Sequence, residues 1–125
     1  MITELAFLRI SPHANAGFEA AFASVEPLLA DAEGHVWHRL VAAADRDDEY
    51  LLEVDWRDLA AHTEAFEPSS AHTQFMAALE PFLVDEPAVY HVPTATRRDE
   101  RRLKARAYLA DRLALLALSS FVFVI

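Results

Sequence analysis

Residues 55–91, DWRDLAAHTEAFEPSSAHTQFMAALEPFLVDEPAVYH, decide the fold of this chain. Asp55-Trp56 ends an alternating, strand-like run. Asp58 stands where a helix N-cap belongs, ahead of a short helical stretch from Leu59 to Phe66. Pro68-Ser69-Ser70 interrupts it, and Ser69 or Ser70 supplies a cap for a second helix reaching about Phe82. The spacing of Phe75, Met76, Leu79, Phe82 and Leu83 makes these the buried stripe of that helix. Pro87 opens a last strand over Ala88 to Val92, which Pro93 closes.

Upstream, Ile2 to Ile10 is apolar-rich, with Ile2, Ala6, Leu8 and Ile10 in one alternating set, the pattern of a half-buried strand. Ser11-Pro12 breaks it. Phe18, Ala21, Phe22, Val25, Leu28 and Leu29 recur at helical spacing and predict an amphipathic helix from about Ala14 to Ala30, with Pro27 expected to kink or loosen its last turn. Gly34 lies where that helix ends. His35 to Ala43 reads as a strand, with His35, Trp37, Arg39 and Val41 on one face and Val36, His38, Leu40 and Ala42 on the other. Asp45 to Asp48 forms a charged hairpin turn, and Glu49 to Trp56 the third strand. The order is β-α-β-β-α-β with the second helix broken. This is an α+β, ferredoxin-like pattern: a four-stranded antiparallel sheet with helices on one face. The bare sheet face needs a cover, and a second copy of the chain supplies one in a symmetric homodimer.

The 125 residues form one main domain, large enough to bury a core without staples. The absence of cysteine excludes disulfides, thiolate metal sites and a cysteine nucleophile. The alternating N-terminus lacks the basic region and long apolar run of a signal peptide, so a cytoplasmic location is expected. Residues 1–96 hold seventeen acidic and four basic residues (Arg9, Arg39, Arg46 and Arg57), a net −13, whereas residues 97–125 hold seven basic and three acidic, a net +4. A body so acidic repels a phosphate backbone, which argues against a nucleic-acid partner. There is no Gly-rich phosphate loop, GxSxG elbow or HExxH.

In that order and spacing, the EVDW at 53–56, LAAH at 59–62, the Ser-rich break before AHTQF at 71–75, LEPFL at 79–83 and PAVYHV at 87–92 resemble the antibiotic biosynthesis monooxygenase superfamily, the dimeric α/β-barrel proteins, over roughly residues 2–93. The resemblance implies a homodimer with facing sheets and a pocket in each subunit between sheet and helices. Members oxidise anthrones or hydroquinones with dioxygen and no cofactor, degrade haem, or in related barrels cyclise polyketides, and the fold does not choose among these. Trp56 sits where the pocket Trp of the cofactor-free oxygenases would serve, but their pocket Asn has no match, the only asparagine being Asn15. The haem degraders' axial His falls on Met76 and their first-strand Asn is absent, which disfavours haem. Ser70-Ala71-His72 resembles the Pro-Ala-His context of plant polyketide cyclases, although their partner Tyr is here Phe66.

His72 is the leading candidate base, because a neutral imidazole in a partly apolar pocket takes a phenolic or activated C–H proton near pH 7. His62 shares a helix face with Phe66 and is the second catalytic candidate. The alternative for each is a surface or packing histidine. Trp56, Phe66, Phe75, Tyr90 and His91 are the expected substrate-binding residues, although Trp56, Phe66, Phe75, Phe82 and Tyr90 read equally as core aromatics. Of Tyr90 and His91, alternation turns one toward the helices and the other away. His35 and His38 read as structural. His62 and His72, ten apart across a break, lack metal-ligand spacing, and no metal or cofactor is expected. The expected function is cofactor-independent monooxygenation of a small aromatic, polyketide-like or hydroquinone substrate. A polyketide cyclase or isomerase, and a non-catalytic small-ligand-binding or stress-related barrel, stay open beside it.

The sequence divides at 95/96. Residues 96–125 begin basic and end apolar, and Leu103, Ala107, Leu109, Leu113 and Leu116 predict an extra C-terminal helix. The uncharged run Leu113 to Ile125 is thirteen residues, short of the about 20 needed to cross a bilayer. Packing on a partner subunit and contact with an anionic membrane surface both stay open for it, the membrane as the weaker reading.

Overall fold

The computed structural model describes residues 1–94. The expected C-terminal helix, and with it the reading of the tail, lies outside the described residues. The elements are β1 (Ile2–Arg9), α1 (Asn15–Ala30), β2 (His35–Ala42), β3 (Glu49–Trp56), a short wide helical segment (Ala61–Phe66), α2 (Ser70–Leu79), a 3₁₀ turn (Glu80–Phe82) and β4 (Ala88–Pro93). The four strands form one antiparallel sheet in the order β2-β3-β1-β4. This is the ferredoxin-like arrangement.

Local chemistry sets each boundary. Gly34 ends the first helical unit at φ +82°, and a Cβ there would lie 2.5 Å from the Ala61 Cβ, so this turn takes glycine for space as well as for backbone angle. Asp58 Oδ1 accepts from the Ala61 N–H at 2.8 Å, and Ser69 Oγ accepts from the His72 N–H at 3.2 Å, so both expected caps are in place. Pro27 does not break α1, which runs on to Ala30. It stands within the final turn, where a missing N–H costs a single bond. Pro81 does act as a stop: α2 ends at Leu79 and the chain tightens into the 3₁₀ turn before reaching Phe82.

The helices cover one face of the sheet. Phe18, Phe22 and Leu29 of α1 meet Phe75 and Leu79 of α2 above Ala6, Leu8, Leu52, Val54 and Trp56, all buried. Strand register puts Glu4, Ala6, Leu8, Tyr50, Leu52, Val54, Trp56, Val89 and His91 on this covered face. His35 departs from simple alternation. Both His35 and Trp37 find partners on β3, opposite Trp56 and Asp55, so a bulge at Val36 turns His35 onto the face of His38. There His35 Nε2 lies 2.7 Å from His38 Nδ1, and His38 Nε2 2.8 Å from Glu26 of α1, a polar tie between β2 and α1.

The outer face carries Phe7, Trp37 and Tyr90, each well exposed, with Phe7 and Tyr90 in edge-to-face contact at 6.0 Å. Thr3 donates to Asp55 at 2.7 Å and Arg39 pairs with Glu53 at 3.0 Å on the same face. Among the described residues no helix is long and apolar enough to cross a membrane.

Candidate functional site

A cavity of about 690 Å³ opens between the sheet and α2. Glu4, Ala6 and Leu8 of β1 and Leu52 of β3 form its floor; His62 and Phe66 stand on one side, and His72, Phe75, Met76 and Leu79 of α2 form its roof. Exposed acids, Glu67, Glu80, Asp85 and Glu86, edge it. The 83–87 loop is pinned to β1 by the Val84 N–H to the Arg9 carbonyl at 3.0 Å and by the Arg9–Asp85 ion pair at 2.8 Å. No lysine or arginine lines the cavity among the described residues.

The polar centre is built on Trp56. Its indole is wholly buried, its Nε1–H donates to Glu4 Oε1 at 2.9 Å, and its face stacks on the His62 ring at 5.2 Å and 12°. The segment Ala61–Phe66 winds one turn too wide, with the Glu67 N–H reaching the His62 carbonyl five residues back at 2.9 Å. Widened turns of this kind re-aim side chains at functional positions. Here His62 is buried, its Nε2 lying 3.3 Å from Glu4 Oε1 and 3.4 Å from Glu67 Oε1 and its Nδ1 2.8 Å from His91 Nε2.

Burial governs the electrostatics. It pushes the Glu4 carboxyl up to about 7, against the opposing hydrogen bond from Trp56 and with help from the Glu67 charge. It pushes His62 down to about 4, helped by His91 and His72. At neutral pH His62 is therefore an uncharged imidazole, and its approach to Glu4 is not an ion pair. Burial thus brings the proton affinity of the Glu4 carboxyl near neutrality.

Of the residues expected from sequence, His62, His72, Phe66 and Phe75 line the cavity together, with His72 edge-on to Phe66 at 5.3 Å. Three others are placed differently. Trp56 is not a wall of the cavity but lies behind His62, because the large indole fills the space between sheet and helical segment. Tyr90 is on the outer sheet face against Phe7, since alternation on β4 gives the helix side to His91. His91 itself is exposed and does not line the cavity; it meets the site only through His62. Glu4 was missed. Its signal is the gap in the set Ile2, Ala6, Leu8, Ile10, where position 4 belongs to the buried face yet holds an acid. Among the described residues no group of three or more His, Cys, Asp or Glu is placed to hold a metal ion.

The sequence profile of the family Antibiotic biosynthesis monooxygenase matches residues 1–78. An uncharacterised protein of Bacillus subtilis, YczJ, is 34% identical over 91 residues, 73% of this chain and 96% of that protein. Among solved structures, a Bordetella bronchiseptica protein described by the same family name superposes with a TM-score of 0.72 at 27% identity, over 74% of this chain and 95% of its own. SnoaB, a cofactor-independent oxygenase from Streptomyces nogalater, superposes with a TM-score of 0.62 at 24% identity, over 71% and 89%.

The opposed shifts of Glu4 and His62 make a prediction about stability. Because folding raises Glu4, its contribution is present at low pH and is lost as pH rises from 4.5 through about 7. Because folding lowers His62, its contribution is present at high pH and is lost as pH falls from 6.5 through about 4. Each is worth roughly 3 kcal/mol over its range and they oppose one another between. In urea unfolding, Glu4→Gln should therefore steepen the rise of stability from pH 4.5 to 6.5, and His62→Gln should make stability fall toward pH 7. Parallel profiles for both variants and the parent chain would show that these groups do not carry the shifts.

Proposed function

The chain belongs to the antibiotic biosynthesis monooxygenase family, and from that premise we propose that it is a cofactor-independent monooxygenase of a small, uncharged aromatic substrate, an anthrone- or hydroquinone-like ring. One observation carries the reading: a buried carboxyl poised near neutral pH, Glu4, on the floor of an apolar cavity of about 690 Å³. The likeness to SnoaB supports the reaction class. The acidic edge and the lack of a lining lysine or arginine among the described residues support an uncharged substrate, since a carboxylate or phosphate would meet like charge at the entrance.

In this mechanism Glu4 replaces His72 as the base. The Glu4 carboxylate takes the acidic phenolic or ring-carbon proton, and the resulting electron-rich anion reduces dioxygen by forming a carbon–oxygen bond. For an anthrone-type CH₂, loss of the second proton from that carbon with cleavage of the O–O bond leaves a quinone carbonyl and one water, so one oxygen atom enters the product. His72, on the roof, holds the substrate oxygen by a hydrogen bond, and Phe66 and Phe75 wall the ring. A cyclase would use the same base without consuming dioxygen, and a binding protein would turn nothing over.

The test is dioxygen uptake by metal-stripped protein over a panel of anthrones and hydroquinones. kcat/KM is expected to rise with pH through about 7 and level off above it. Glu4→Gln should lower kcat by about 10²- to 10⁴-fold and His72→Gln by roughly tenfold, the value of one hydrogen bond. Full turnover by Glu4→Gln removes it as the base; ring closure without uptake makes the protein a cyclase.

The reading includes a homodimer joined through the outer sheet face, where Phe7, Trp37 and Tyr90 are exposed. Sedimentation of the full chain should give a dimer that Phe7→Asp weakens by an order of magnitude or more, as expected for a charge placed at the centre of an apolar contact. An unchanged dimer with this variant moves the interface elsewhere.

A further inference from the structure

Two nitrogens converge on one oxygen of Glu4. The Trp56 Nε1–H reaches Oε1 at 2.9 Å, and His62 Nε2 lies 3.3 Å from the same atom. Among the described residues no hydrogen bond reaches Oε2, yet every buried side-chain nitrogen or oxygen there has a partner. Oε2 is therefore the oxygen open to the cavity that Glu4 lines.

The neighbours of His62 decide which of its nitrogens carries the hydrogen. Nε2 stands between Glu4 Oε1 and, at 3.4 Å, Glu67 Oε1, and a carboxylate only accepts. A bare lone pair on Nε2 would face both. Nδ1 lies 2.8 Å from His91 Nε2, which supplies a donor to it. The uncharged imidazole thus holds its one hydrogen on Nε2, shared between two carboxyls as a three-centre bond in which both separations are long. The stack on Trp56 keeps the ring in that plane, and His72, with His91, adds to the cost of charging it.

We propose that His62 is a positioning residue that, with Trp56, occupies both lone pairs of Glu4 Oε1 and leaves Oε2 as the single basic atom facing the substrate. This rests on the assignment of Glu4 as the base. A proton on Oε1 would meet two N–H groups head on. A proton on Oε2 leaves Oε1 a carbonyl oxygen that still accepts from both, so neither donor moves as Glu4 takes up and gives back a proton. For an anthrone-type CH₂ the balance closes on this one atom. Oε2 takes the first C–H proton, and the carbanion bonds dioxygen as a peroxide anion. Oε2 returns that proton to the outer peroxide oxygen. It then takes the second C–H proton, whose electron pair becomes the C=O bond as the O–O bond breaks, and passes it to the departing hydroxide. One oxygen stays on carbon, the other leaves with both hydrogens as water, and Glu4 ends ionised as it began.

The hydrogen position and the Glu4 titration are read without substrate, so they fail separately from the oxygenase reading. ¹⁵N NMR of the histidine-labelled full chain should show His62 uncharged and in the Nε2–H form from pH 5 to 8. This needs no substitution, and an Nδ1–H form at pH 8, where Glu4 is ionised, overturns the proposal. His62→Phe keeps a ring on Trp56 and removes the donor. It should move the ¹³C midpoint of the Glu4 carboxyl upward from about 7, because a donor to the charged form is lost. His62→Gln, whose amide still donates, should hold that midpoint near the parent chain's. In turnover His62→Phe should lower kcat about tenfold with KM unchanged and carry the rise of kcat/KM to higher pH. A packing role alone would leave both midpoints where they are. If His62→Phe titrates and turns over like the parent chain while Glu4→Gln is dead, the base stands and the positioning role falls. Full turnover by Glu4→Gln overturns the base, and the role of Oε2 with it.

Discussion

The indole of Trp56 is the contact on which the site depends. Its N–H must find a partner because it is wholly buried, and the partner is a carboxyl that burial would otherwise expel or neutralise. Its face then sets the plane of His62. One side chain thereby fixes an acid on β1 and an imidazole on the widened helical segment, elements far apart in sequence. The arrangement leaves Glu4 with a proton affinity near neutrality, the condition under which a carboxyl both takes and gives up a proton at working pH.

The fold was legible because its punctuation is chemical and local. Asp58 and Ser69 cap where they were expected to, and Gly34 holds a backbone angle and a gap that a side chain would not fit; Pro81, through which the helix was expected to run, instead ends α2 at Leu79. Two further features escaped. The bulge at Val36 moves His35 to the other face of β2, and no residue type announces an extra residue within a strand of ordinary alternation. The broken helix was expected, but not that its first piece would be wound wide, which follows from tertiary packing around Trp56 rather than from propensity.

The site was legible in part. His62, His72, Phe66 and Phe75 meet at one cavity, as helical spacing on the stretch 59–75 allows. Trp56 and Tyr90 were expected at the wall because aromatic residues serve equally as core and as lining, and composition does not separate the two. Alternation left open which of Tyr90 and His91 faces the helices; the strand register gives that face to His91, which reaches the site only at one remove. Glu4 is the instructive omission: a carboxylate inside an apolar set is costly to bury, and position 4 belongs to the same alternating set as Ala6 and Leu8, so the strand pattern alone made it a candidate.

The most direct measurement is the titration of the Glu4 side-chain carboxyl, followed by ¹³C NMR in the full chain with Glu4→Gln to assign the resonance. A midpoint near 7 is the expected result, as for a carboxyl held in a buried site against Trp56 and His62. A midpoint near 4.5, the value of a solvated glutamate, would contradict it and leave the cavity without a base poised for neutral pH.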